Sequence, residues 1–131
     1  MMDFEQLKQA PFLGRSHLRF LYFSHHGRIN RLRFYLGYLL ATVPFWLLSA
    51  CIPDSAWGIA RWVLIPLFML CLYMIAMLLV KRAHDVNRSG HFCWLLLVPI
   101  VSIWPLIELL LFQGTSGDNR FGPDMTASLR S

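Results

Sequence analysis

Three apolar runs constrain what this chain can fold into more than any other feature. The first, from about Phe34 to Ile52 (FYLGYLLATVPFWLLSACI), contains no charged residue. The second, from about Ala56 to Val80, has one charge, Arg61, and the third, from about His91 to Phe112, has one acid, Glu108. A helix needs roughly 20 apolar residues to cross a hydrocarbon core, and all three runs reach that length. A chain of 131 residues cannot bury three such runs within itself. Composition agrees: 56% of residues are hydrophobic and only 15% charged, against a usual charged share of about 25%. Mean hydropathy is +0.50, which excludes intrinsic disorder and a soluble monomer alike. The expected fold is an all-α integral membrane helical bundle with three transmembrane helices, preceded by an N-terminal interfacial amphipathic segment.

The bases orient the bundle, because cytoplasmic flanks carry an excess of Lys and Arg. Lys8, Arg15, Arg19, Arg28, Arg31 and Arg33 precede the first run, and Lys81, Arg82 and Arg88 separate the second from the third. The short Pro53-Asp54-Ser55 connection has no base. The N-terminus and the second connection are therefore assigned to the cytoplasm, and the formal net charge of +5 becomes mainly a topology signal. Three crossings would leave the tail outside. Pro99 and Pro105 interrupt the third run, however, and a broken or re-entrant passage returning the tail to the cytoplasm is the alternative. On this reading, residues 1–33 form the cytoplasmic or interfacial segment, 34–112 the bundle (34–52, 56–80 and 91–112), and 113–131 a C-terminal loop and tail.

The N-terminal segment does not read as a cleavable signal, since Asp3 and Glu5 lie near its start and no apolar core precedes Phe34. Phe4, Leu7 and Ala10 recur at helical spacing, Pro11 and Gly14 break the segment, and Leu18 to Phe23 is apolar apart from Arg19. Such a pattern suits a helix on the cytoplasmic leaflet with its bases toward anionic headgroups. Leu48-Ser49-Ala50-Cys51 has the look of a lipoprotein box, but it lies too far from the start for that use.

No catalytic set, cofactor site or metal site emerges. Cys51, Cys71 and Cys93 fall at different helical depths and are expected to remain unpaired. His17, His25, His26, His84 and His91 match no metal-ligand spacing. Arg61 and Glu108, placed at similar depth by three crossings, are an intramembrane ion-pair candidate. Gly37 with Ala41, and Ala56 with Ala60, are small-residue pairs that let helices approach closely.

Two polar stretches remain. Lys81 to Gly90 crowds three bases, Asp85, His84 and Asn87 into a membrane exit, with Asp85 expected to tie the loop together through charge-assisted hydrogen bonds. Gly114 to Asp124 combines glycines with Asp118 and Asn119, which favours a turn-rich folded loop capped by Phe121. It is not a phosphate-binding loop, because Pro123 stands where a lysine is needed.

Taken in order, these stretches resemble the domain of unknown function 805 family of small bacterial inner-membrane proteins, over about residues 22 to 125. The opening motif is Phe23 followed by Gly27-Arg28, Arg31 and the aromatic pair Phe34-Tyr35. The central motif is Lys81-Arg82-Ala83-His84-Asp85 with Arg88-Ser89-Gly90 and Phe92, and the closing motif runs from Gly114-Thr115 through Asn119-Arg120-Phe121-Gly122-Pro123-Asp124. Lys81 and Ala83 depart from the usual arginine and leucine, and His91-Phe92 from a bulky aromatic pair. The resemblance implies a multi-span inner-membrane protein and no particular reaction. It marks Gly27, Arg28, Arg31, Arg82, His84, Asp85, Arg88, Ser89, Gly90, Gly114, Asn119, Arg120, Gly122 and Pro123 as the polar cluster.

The leading expectation is a non-enzymatic accessory or scaffold acting through helix–helix or lipid contacts. Its expected partners are the bilayer with its anionic headgroups and a second copy or another membrane protein, but not nucleic acid. An oligomeric channel or small transporter lined by Arg61 and Glu108 is the alternative. An interfacial enzyme using His84 as base and Asp85 as its orienter is a third.

Overall fold

The computed structural model describes residues 14–24 and 26–124. Among these residues are four α-helices, α1 (Arg15–Phe23), α2 (Arg31–Ala50), α3 (Trp57–Asp85) and α4 (Ile103–Leu111), with 3-10 segments at Asp54–Ala56 and Gly90–Leu97. No strand occurs among the described residues. Met1 to Leu13, with the helical spacing noted there and the break at Pro11, lie outside them.

Asn30 starts α2 by accepting from Arg33 N–H at 2.9 Å, which satisfies one of the orphan donors at a helix start. Helix α2 has 20 residues and α3 has 29, both long and apolar enough to cross a membrane. Pro44 and Pro66 sit inside these helices without ending them. Only 17% of either apolar window is buried, and Ile59 (82% exposed), Trp62 (74%) and Trp46 (66%) face outward. A soluble core helix hides such a face; these two present it to their surroundings.

Helices α2 and α3 meet along the first small-residue pair. Gly37 and Ala41 are buried. A Cβ on Gly37 would lie 3.0 Å from a Leu78 methyl, and Cys71 Sγ donates to Ala41 O at 3.2 Å. The close approach that the sequence suggested is made inside the chain.

Helix α1 buries His17, Phe20, Leu21 and Tyr22 and exposes Arg15 and Arg19. The Tyr22 hydroxyl donates to Gly37 O at 2.7 Å, and burial pushes its pKa up to about 12. Lys81 Nζ donates to Phe20 O and to Leu21 O, so a cation from α3 caps the carbonyl end of α1. Ile29 and Phe34 complete this core with Leu78.

The third apolar run is not one helix. Gly90–Leu97 is 3-10, a bend follows, and α4 begins at Ile103. Pro99 lacks an N–H and pushes Val98 into extended backbone (φ −97, ψ 112), which ends the 3-10 segment. Ile100 then takes a positive φ of 69. Pro105 is tolerated because it falls in the first turn of α4, where N–H groups have no helical acceptor.

Both limbs return to one end of α3. A Cβ on Gly90 would lie 3.1 Å from Val80 and 3.8 Å from His84, while Leu109 and Phe112 reach Arg82. At about 2.0 Å per 3-10 residue the first limb is about 16 Å long, shorter than the roughly 30 Å of a hydrocarbon core.

Candidate functional site: a buried ionic junction

The last turn of α3, expected to be loop, is helical to Asp85, and this turn carries the junction. Lys81, Arg82, Ala83, His84 and Asp85 are all buried. Arg82 and Asp85 lie one turn apart, so their side chains meet on one helix face and form an ion pair. Arg28 comes from the connection before α2, with Nε 3.2 Å from Asp85 Oδ1. Gly27 shapes that connection with a φ of 93.

Two guanidiniums face one carboxylate, so backbone carbonyls supply the remaining acceptors. Arg28 Nη1 donates to Gly117 O (2.7 Å) and Gly122 O (3.3 Å), and Nη2 donates to Thr115 O and to Thr115 Oγ1 (3.1 Å). Arg82 Nε donates to Leu109 O at 2.8 Å, and Nη2 to Phe112 O. Both arginines are at most 1% exposed. Burial on this scale is tolerable only because each charged group has directed partners.

The junction also closes α4. Four terminal carbonyls of a helix lack intrahelical donors. Here Arg82 takes those of Leu109 and Phe112, the Tyr35 hydroxyl takes Leu110 O at 2.9 Å, and Arg31 Nη1 takes Leu111 O at 2.9 Å. Cations at a helix C-terminus are favoured by its dipole as well.

The closing loop packs directly on this surface. Thr115 N–H donates to Asp85 O at 2.9 Å, and Thr115 Oγ1 donates there at 3.1 Å. Asn119 Nδ2 donates to His84 O at 2.9 Å. The His84 ring stacks on Phe121 with centroids 4.0 Å apart and planes 5° from parallel, and its Nδ1 lies 3.3 Å from Gly27 O. Arg120 lies 4.7 Å from the Phe121 ring centroid and donates to Asn87 O at 3.2 Å. Gly117 (φ 79) and Gly122 (φ 143) supply the left-handed turns, an Asn119–Gly122 bridge closes the loop, and Asp124 accepts from Gly117 N at 3.0 Å. Pro123 follows this bridge. A Cβ on Gly114 would overlap the Asp85 carboxylate, so glycine is required there for close approach.

The residues marked in the sequence therefore divide. Gly27, Arg28, Arg31, Arg82, His84, Asp85, Gly114, Asn119, Arg120 and Gly122 gather at the junction or its rim. Ser89 starts the 3-10 segment, its carbonyl accepting from Phe92 N at 2.9 Å, and Gly90 permits the turn against Val80. Arg61 and Glu108 do not pair. Glu108 accepts from Arg88 Nε at 2.7 Å and from Trp104 Nε1 at 2.9 Å, while Arg61 lies near the far end of α3, 5.8 Å from the Trp62 ring centroid. The folded-back third run carries Glu108 to the Arg88 end of α3, opposite the depth that three crossings would give it. The hydrogen bonds and charge of Glu108 hold Arg88 more firmly protonated than a free arginine. Tyr35, Lys81 and Thr115 also do structural work that no charge pattern announced.

Residues 22–123 match the family described as "Protein of unknown function (DUF805)". This chain belongs to that family. It is 36% identical over 59 residues to inner membrane protein YhaI of Escherichia coli (strain K12), covering 44% of this chain and 50% of that protein. It is 44% identical over 45 residues to inner membrane protein YhaH of the same strain, covering 34% of this chain and 36% of that protein. The matched stretches thus span half or less of these relatives' length. No solved structure matches. The family region runs from Tyr22, which hydrogen-bonds α2, to the residue after Gly122, which accepts from Arg28.

Proposed function

We propose that this chain is a multi-pass inner-membrane protein acting as a non-enzymatic scaffold or accessory through its lipid-facing helices. Helices α2 and α3 cross the bilayer, and residues 90–112 enter and leave on one side. The junction and the N-terminus face the cytoplasm. Support for location comes from the family and from relatives named inner membrane proteins. Support for orientation comes from the bases before α2 and after α3, set against the Pro53-Asp54-Ser55 connection, which has none.

The observation that carries the reading is how the junction's polar groups are used. Both Asp85 oxygens go to Arg28 and Arg82, and the remaining nitrogens of the two arginines go to carbonyls of α4 and of the segment after it. A buried ion pair adds little net stability over an apolar packing of the same shape. Its use here is to fix which segments meet. The apolar faces of α2 and α3 are left as the surface offered to lipid or to another membrane helix.

Topology is tested with single cysteines at Ser55 and Ser116 in a variant lacking Cys51, Cys71 and Cys93. A membrane-impermeant maleimide on intact cells should label Ser55→Cys and spare Ser116→Cys until the membrane is opened. Labelling of Ser116→Cys in intact cells overturns the two-crossing reading. Native mass spectrometry from mild detergent tests the scaffold. A lone monomer with no co-purifying protein counts against it.

A further inference from the structure

Glu108, the ion-pair partner of Arg88, lines a cleft of about 190 Å³ together with Trp104, Ile107 and Phe112. Glu108 is only 7% exposed. Its Oε1 accepts from Arg88 Nε at 2.7 Å, and its Oε2 accepts from Trp104 Nε1 at 2.9 Å and faces Arg88 Nη2 at 3.4 Å. The carboxylate is thus turned inward and occupied. The Arg88 side chain, by contrast, is 49% exposed, its guanidinium 5.3 Å from the Phe92 ring centroid. Its Nη1 has no acceptor among the described residues. Exposed Arg120 and His91 belong to the same end of the molecule, and Arg120 reaches back to the neighbouring Asn87 carbonyl. Arg88 thus presents a half-exposed guanidinium beside apolar cleft walls.

The order of these groups along the membrane normal is informative. On the two-crossing reading, Arg88, three residues past the end of α3, falls at the headgroup level, and Trp104 and Ile107, in the first turns of α4, fall toward the hydrocarbon. A cation at the interface above an apolar lateral cleft is the complement of a phospholipid, with its phosphate outside and its acyl chain inside. We propose that Arg88, held in place by Glu108 and Trp104, binds the phosphate of an anionic phospholipid whose acyl chain lies in the Trp104–Ile107–Phe112 cleft. Glu108 is the positioning residue, since it fixes the guanidinium that makes the contact.

The inference rests on the membrane-embedded reading, but it fails separately. The test is native mass spectrometry of the full chain, titrated in detergent with phosphatidylglycerol or phosphatidylcholine. One phosphatidylglycerol should be retained in preference to phosphatidylcholine by about five-fold, the effect of one interfacial arginine. Arg88→Gln should abolish that preference, and Ile107→Trp, which fills the cleft, should lower retention of both lipids. The double variant Arg88→Gln/Glu108→Gln removes both charges and leaves no buried unpaired carboxylate, so it tests the site if Arg88→Gln is poorly folded. Arg61→Gln, at the other end of α3, should keep the wild-type preference. Equal retention of the two lipids by the wild type, or an unchanged preference in the double variant, overturns the site. Either result leaves the bilayer location standing, which the cysteine labelling tests on its own.

Discussion

Arg28 and Asp85 lie 57 positions apart in the chain and meet in a buried ion pair, Arg28 Nε to Asp85 Oδ1 at 3.2 Å. This contact joins the start of α2 to the end of α3, and Arg82 completes it from the other side of the carboxylate. Removing the acid leaves two buried guanidiniums facing each other. Asp85→Asn is therefore expected to cost about 3–5 kcal/mol, measured as a loss of thermal stability in detergent. The larger Arg28→Met/Asp85→Leu exchange should cost less than Asp85→Asn, because it removes a charge together with its partner. A double variant as damaged as the single one would contradict the pairing.

Gly114 offers a steric test of the same point. A Cβ there overlaps the Asp85 carboxylate, which Arg28 and Arg82 hold in place. Gly114→Ala should destabilise by about 1–3 kcal/mol, the range for overpacking a rigid site. Gly58→Ala is the matched control, since nothing lies within 4 Å of its added methyl. It should leave the melting temperature unchanged or slightly raised, as alanine is the better helix former. Equal effects at both positions would remove the close-approach argument.

The two long helices were legible because an unbroken apolar run has one outcome in lipid. A close helix contact was legible at Gly37 and Ala41, where small side chains permit it, but not that α3 supplies the partner. Asp85 was legible as a tie because bases flank it on both sides. Arg82 was among those flanking bases, and the family resemblance set Arg28 in the same polar cluster despite its distance in sequence. The carbonyls of Thr115, Gly117 and Gly122 carry no side-chain signature at all. The third run was legible only as two alternatives: length and hydropathy average over Pro99 and favour one continuous helix, while Pro99 and Pro105 marked the break that the backbone makes. Glu108, paired with Arg61 on the first alternative, meets Arg88 instead.

Arg82 bridges Asp85 to the carbonyls of Leu109 and Phe112, a geometry that needs the guanidinium fork. Arg82→Lys keeps the charge but offers one nitrogen where three are used. The C-terminal turn of α4 should then open while α2 and α3 stay folded. Hydrogen exchange on residues 103–115 should speed up by about ten-fold or more, corresponding to at least one lost charge-assisted bond of about 1.5–3 kcal/mol. Exchange within residues 60–75 should not change. Uniform acceleration through the whole chain would mean that α4 is not held locally by Arg82.

Helix α1 carries a pH dependence of defined sign. His17 is 1% exposed and meets Phe20 edge-on, with ring centroids 6.5 Å apart. Burial, followed by the nearby charges of Arg33 and Lys81, lowers its pKa below the ordinary 6.5. The folded state therefore holds His17 neutral while the undocked helix takes up a proton more readily. The stability from this group is present above about pH 6.5 and is lost progressively as pH falls toward the depressed folded value. Docking of α1, followed by protease accessibility near Arg15 and Arg19, should weaken between pH 7.5 and 5. His17→Phe retains an aromatic ring against Phe20 and cannot titrate, so its profile should be flatter over that interval. A wild-type profile that matches the His17→Phe profile would show that the histidine is not the group responsible.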